Sequence, residues 1–176
     1  MSLPVHTKVI ISVSMLFSAA IFGFFYAWVC STMWGLDAAD PRVAIQAMQA
    51  MNASVRNVVF FPAFFLTPLV LAASAMSLWR LRMNSSAAWF AASSVTYLCF
   101  GLVLTMAVNV PMNEALALKE VPTNLADARV MWDEYSSPWQ FWNVMRTLAS
   151  GASFLLATLG LLSLTGKTKY TAKNPG

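Results

Sequence analysis

The chain has 176 residues, of which 59% are hydrophobic and only 10% charged. A soluble domain needs about 25% charged residues to keep its surface solvated. This composition therefore excludes an ordinary soluble globule and a disordered chain. The 11 Lys and Arg residues give a net charge of +4 without forming a basic run, so a nucleic-acid module is excluded too.

The chain opens with a short tail carrying Lys8, followed by an apolar run over 9–34. That run is longer than a signal-peptide core and has no A-x-A cleavage pattern, so it reads as a retained membrane span. Asp40-Pro41 is a helix start, with Asp as N-cap and Pro at the first helical position. The helix it opens runs to about residue 57. Its apolar stripe is Ala44, Met48, Met51 and Val55, with Asn52 beside it and Gln49 toward the opposite side.

Further spans are predicted over 58–79, 87–110 and 139–164, each long enough to cross about 30 Å of hydrocarbon. Between the last two, 111–138 holds a further helix over about 123–135, ending before Pro138. Hydrocarbon offers no partners for backbone N–H and C=O groups, so the spans must be helical. The expected fold is all-α: a four-transmembrane-helix bundle with short amphipathic helices in the two outer connections. It forms a single integral membrane domain over 1–176.

The charges are sorted by position. Lys8, Arg80, Arg82, Lys167, Lys169 and Lys173 flank the spans at one end with no acid among them. All seven acids lie in the other two connections, with Arg42, Arg56, Lys119 and Arg129. By the positive-inside rule both termini are expected in the cytoplasm. Trp28, Trp34, Trp132, Trp139 and Trp142 then fall toward the outer interface, and Trp79 and Trp89 toward the inner one.

Within the spans, costly polar residues carry the functional information. Arg146 is the one charge inside a span and shares a helix face with Trp139, Asn143, Thr147 and Ser150. It either faces the bundle interior or snorkels to the outer headgroups. Asn109 and Asn113 flank Pro111, which has no N–H and so frees the Ala107 carbonyl. The two asparagines are helix caps or parts of a site. Pro62 and Pro68 lie in an aromatic stretch of the second span that reads as packing.

Cys30 and Cys99 lie in apolar runs, and the single histidine, His6, is in the tail. No His/Cys/carboxylate cluster suggests a metal, and the outward methionines lack the support that a copper site would need.

Four segments together resemble the anthrone-oxygenase-like family of small four-helix membrane proteins. They are Met48-Gln49-Ala50-Met51-Asn52, Asn109-Val110-Pro111-Met112-Asn113, Trp132-Asp133-Glu134-Tyr135, and 139–147 with its W-x-x-W-N-x-x-R pattern. Fungal relatives are associated with the oxygenation of anthrones to anthraquinones without a metal or flavin. The resemblance implies an oxygenase of electron-rich hydroxylated aromatics that uses no cofactor.

In that reading Arg146, Asn143 and Asn109 are catalytic, holding an oxyanion. Asn52, Asn113, Gln49, Met48, Met51, Trp139 and Trp142 bind the substrate. The candidate bases are Glu114 and Glu134, and no metal is expected. The expected partners are the lipid bilayer and an apolar or aromatic small molecule. The competing readings are a small-molecule binding or transport protein, and an accessory subunit in which Asn and Arg only hold helices together.

Overall fold

A computed structural model describes residues 3–171, with side chains described through residue 164. Lys167, Lys169 and Lys173, counted above toward orientation, lie outside the described side chains. Among the described residues the chain is helical with no strand, as its composition predicts. Helix α1 runs Val5–Ala38, α2 Pro41–Ser54, α3 Phe60–Arg80, α4 Asn84–Ala117 and α5 Leu125–Thr171. Four of these, α1, α3, α4 and the Leu125–Leu164 part of α5, are long and apolar enough to span a membrane. The protein is an integral membrane protein, and much of its surface is lipid-facing Leu, Val and Phe.

Local sequence sets the helix ends. Asp40 caps α2 by accepting from the Arg42 N–H at 2.9 Å, with Pro41 at the first position. Asn57 Oδ1 accepts from the N–H groups of Val59 and Phe60 and so starts α3. Leu78 and Trp79 accept from Met83 and Arg82 in a tight helix-ending turn, which leaves Arg82 in the left-handed region at φ 61°.

One boundary differs from the sequence expectation. The helix predicted to stop before Pro138 instead continues from Leu125 straight into the fourth span. Pro138 removes a hydrogen bond from the Glu134 carbonyl, but both residues are exposed, where water or headgroups can replace the bond. On the opposite face, Trp132, Tyr135, Ser136 and Trp139 are all buried, and their packing continues through the proline.

At about 1.5 Å per residue, α1 and α4 are roughly 50 Å long, well beyond a bilayer core of about 30 Å. The excess gathers with α2 at the acid-bearing end of the bundle. There Met33, Ala44, Ile45, Met48, Leu116, Ala128, Trp132, Tyr135 and Trp139 form a cap core. Trp132 and Trp139, expected at an interface, are 0% and 1% exposed inside it.

Asp37 ties the end of α1 to α5 by accepting from Trp132 Nε1, Ser136 Oγ and Gln140 Nε2 at 2.7–2.9 Å. A second core of Ile21, Phe25, Phe64 and Tyr97 fills the middle of the bundle, and a third lies toward the basic end. Between helices the spans are joined by hydroxyl pairs, Thr7–Ser77, Ser14–Ser74 and Ser93–Ser153. Each such bond contributes on the order of 0.6 kcal/mol.

Candidate functional site

The α5 face singled out from the sequence turns inward. Trp139, Asn143, Arg146, Thr147 and Ser150 are buried, with Arg146 only 5% exposed. Arg146 therefore faces the bundle interior and does not snorkel. Thr147 and Ser150 donate to the carbonyls one turn back, at Asn143 and Arg146, and so satisfy themselves within the helix.

Arg146 is held by three neighbours. Its Nε donates to Asn143 Oδ1 at 2.9 Å. Its guanidinium carbon lies 4.4 Å from the centroid of the Phe25 ring and 5.1 Å from that of Trp139. Cation–π contacts of this kind contribute about 2 kcal/mol each when desolvated. Asn143 is steadied in turn by a contact of 3.5 Å from its Nδ2 to the Phe25 carbonyl.

Among the described residues no carboxylate pairs with Arg146; the two ion pairs, Arg42–Asp40 and Arg56–Glu114, lie elsewhere. Its terminal Nη atoms have no acceptor there either. The ionisable groups within electrostatic reach are the phenols of Tyr135 and Tyr97.

Asn113 is a hub between α4 and α5. Its Oδ1 accepts from both Tyr135 Oη and Trp139 Nε1 at 2.8 Å. Asn52 on α2 donates to the Tyr135 oxygen at 3.4 Å. Asn113 thus fixes the ring that contacts Arg146, and Asn52 ties α2 to the same network.

Asn109 differs from these. Its side chain is 0% exposed, and neither Nδ2 nor Oδ1 has a hydrogen-bond partner. It caps no backbone group, so the cap reading fails for it. Around it α4 is wound in π fashion, the Val110 N–H reaching back five residues to the Thr105 carbonyl. Such widened turns recur at functional positions.

The register of the antiparallel pair α4/α5 locates Asn109. Ser93 meets Ser153 near one end, and Asn113 meets Trp139 and Tyr135 near the other. One turn back from Asn113 on α4 corresponds to one turn forward from Trp139 on α5. That is the level of Asn143.

Below this level α3 and α4 are joined through a proline. Pro68 cannot donate to the Phe64 carbonyl, and Tyr97 Oη does so instead at 2.9 Å. Gly101 leaves room for the Tyr97 ring, because a Cβ there would stand 2.6 Å from it.

The remaining sequence candidates lie apart from Arg146. Gln49 donates to the carbonyls of Leu116 and Lys119 at 2.9 Å and so closes the end of α4. Met48 is packed in the cap core, with Met51 against its edge. Trp142 is half-buried and lies edge-on to lipid-facing Phe141. Glu114 is exposed and paired with Arg56, and Glu134 is exposed beside Lys119 in a shallow surface pocket. Neither carboxylate reaches the buried polar group. Among the described residues no three His, Cys, Asp or Glu side chains gather as metal ligands would.

Sequence reasoning did not single out Phe25, Tyr97 or Asp37. Phe25 sits in a uniformly apolar span. The signal for Tyr97 was Pro68, which leaves the Phe64 carbonyl in need of a donor from a neighbouring helix.

A groove of about 590 Å³ opens between α1 and α3, lined by Ile21, Phe24, Trp28, Met51, Phe60 and Ala63 among others. Trp28 on its wall has its ring 5.2 Å from that of Trp139. Trp139 in turn contacts Arg146, so an indole pair links the groove wall to the guanidinium.

The chain is thus a four-span membrane protein with a cation–amide cluster buried inside the bundle. Residues 50–156, which include α3, α4 and most of the cluster, match the family model described as Anthrone oxygenase, and the chain belongs to that family. No curated protein and no solved structure matches it.

Proposed function

We propose that this protein is an oxygenase that converts an electron-rich hydroxylated polycycle of the anthrone type to the corresponding quinone, without a metal or flavin. The observation that carries this reading is Arg146, buried without a counter-ion beside Asn143 and level with the unpartnered Asn109, in a chain of the Anthrone oxygenase family. In the proposed reaction the substrate anion gives one electron to O₂. The resulting radical pair combines to a peroxide anion at the ring carbon, which takes up a proton to give the hydroperoxide. Loss of water then leaves the new carbonyl. The ring carbon loses two hydrogens and gains one oxygen atom, and the second oxygen atom leaves as water.

Arg146 and Asn109 serve the substrate oxygens by charge-assisted and neutral hydrogen bonds. Asn143 positions Arg146, and Asn113 and Asn52 hold Trp139 and Tyr135 around it. The groove between α1 and α3 admits a flat apolar molecule from the lipid once Trp28 swings aside, with Met51 on its wall. By the distribution of lysine and arginine, both termini are cytoplasmic and the site lies toward the outer face.

The apolar groove also suits a binding or transport protein that leaves the same molecule unchanged, and one experiment separates the two. Chelator-treated protein in detergent is given an anthrone in an oxygen electrode, with empty micelles as the background. The oxygenase reading predicts one O₂ consumed per quinone formed, falling at least tenfold in Arg146→Ala. Uptake no faster than in empty micelles overturns it. Passage of unchanged anthrone across sealed vesicles would then support transport.

A further inference from the structure

The oxygenation proposed above begins from a deprotonated substrate, and the structure bears on where that proton goes. A general base must reach the hydroxyl it deprotonates at about 2.6–3.2 Å, directly or through one water. The groups facing Arg146 can be taken helix by helix. From α1 comes Phe25, and α2 contributes only the neutral amide of Asn52, which sits on the Tyr135 oxygen. From α3 comes no ionisable group among the described residues. From α4 come Tyr97, Asn113 through its bonds to Tyr135 and Trp139, and Asn109 at the same level of the bundle; from α5 come Asn143, Trp139 and Tyr135.

Both phenols already spend their protons as donors, Tyr97 to the Phe64 carbonyl and Tyr135 to Asn113 Oδ1. The exposed Glu114 and Glu134 are not in the cluster. Among the described residues the cluster thus holds one cation, neutral amides and committed donors, and no carboxylate or imidazole.

A buried cation without a counter-ion is costly, and a ligand that brings a negative charge removes that cost. An orphaned amide at the same level offers one donor and one acceptor. Together these select a flat ligand with an ionised oxygen and a second polar oxygen nearby.

Resting on the oxygenase reading, we propose that the site binds its substrate as the oxyanion, with Arg146 as the acidifying group and no side-chain base. The substrate O–H breaks heterolytically, the electron pair stays on oxygen, and the proton passes to solvent water as the ligand enters. Arg146 then holds the anion that reacts with O₂.

The test uses a monohydroxyanthraquinone, which has no ring hydrogens left to oxidise in this way and whose phenolate absorbs at longer wavelength than the phenol. Full-length protein in detergent is titrated with pH in its presence, with empty micelles as reference. The proposal predicts that wild type lowers the probe's apparent pKa by at least one unit, a tenfold preference for the anion. Arg146→Gln returns it to the micelle value, and Arg146→Lys keeps part of the shift.

A wild-type titration that coincides with micelles, or one shifted upward, overturns the proposal, as does a downward shift that survives in Arg146→Gln. The wild-type curve is decisive even if Arg146→Gln fails to fold. Oxygen uptake on the same preparation reports separately on the oxygenase reading, so an enzyme that oxidises anthrone yet binds the probe as a neutral phenol would refute only the present inference.

Discussion

Replacing Asn109 with leucine should stabilise the protein, the reverse of the usual outcome for a core substitution. The Asn109 side chain is fully buried, and both its amide atoms lack partners. An unpaired buried donor or acceptor costs about 1–3 kcal/mol, so the two together cost about 2–6 kcal/mol in the empty site. Leucine keeps the branch at Cγ and removes both polar atoms. Its greater bulk returns about 1–3 kcal/mol of strain.

The net expectation is a gain of about 1–3 kcal/mol, which for a chain of this size raises Tm by roughly 2–10 °C. Catalysis should fall at least tenfold in the same variant, because the amide that would meet the substrate is gone. The contrast is Asn143→Leu. Asn143 supports Arg146 Nε and touches the Phe25 carbonyl, so its loss leaves a buried charge with one partner fewer and lowers Tm. Thermal melts in detergent, followed by tryptophan fluorescence, measure both. If Asn109→Leu loses as much stability as Asn143→Leu, Asn109 has a structural partner and its role as an open ligand group is refuted.

Two further predictions follow from the geometry. Tyr97→Phe strands the Phe64 carbonyl that Pro68 cannot serve and should cost about 1–3 kcal/mol. Adding Pro68→Ala restores a backbone N–H, so the double variant should lose less than Tyr97→Phe alone; a double-mutant cycle of melting temperatures that shows simple additivity would refute the link. At the start of α2, the Arg42 guanidinium and then its backbone N–H hold the Asp40 carboxyl below its usual 3.8, at about 2. Because the folded value lies below the unfolded one, the cap is at full strength above the usual carboxylate range. It is lost as pH falls from there through about 2. Amide exchange in α2 should accelerate over that acid window in wild type but not in Asp40→Ala.

The fold was legible because lipid imposes a simple rule. Apolar runs of sufficient length must be helices, and Asp40-Pro41 marked the start of α2 to the residue. The end of the predicted 123–135 helix was misread because Pro138 looks like a stop in one dimension. The Glu134 carbonyl that it orphans falls on an exposed face while Asp37 and Asn113 grip the other, and those contacts span about a hundred and about twenty-five residues of sequence.

The inward turn of Arg146 was readable from Asn143 and Ser150 on its face. Its packing against Phe25 was not, since one phenylalanine in an apolar span looks like any other. Gln49 was drawn toward the site by its place in a motif, yet its amide closes the end of α4. The α-helical period alone also gave the α2 stripe a small rotation error. Asn52 proves buried, while Met51 and Val55 sit at the edge.

In the proposed reaction molecular oxygen is placed on a substrate held by Arg146. Turnover of an anthrone under ¹⁸O₂ by chelator-treated protein tests it most directly, with the product quinone analysed by mass spectrometry. The oxygenase reading predicts one ¹⁸O atom per quinone and one in water, formed well above the rate in empty micelles and lost in Arg146→Ala. A quinone labelled from solvent water, or formation no faster than without protein, would contradict it.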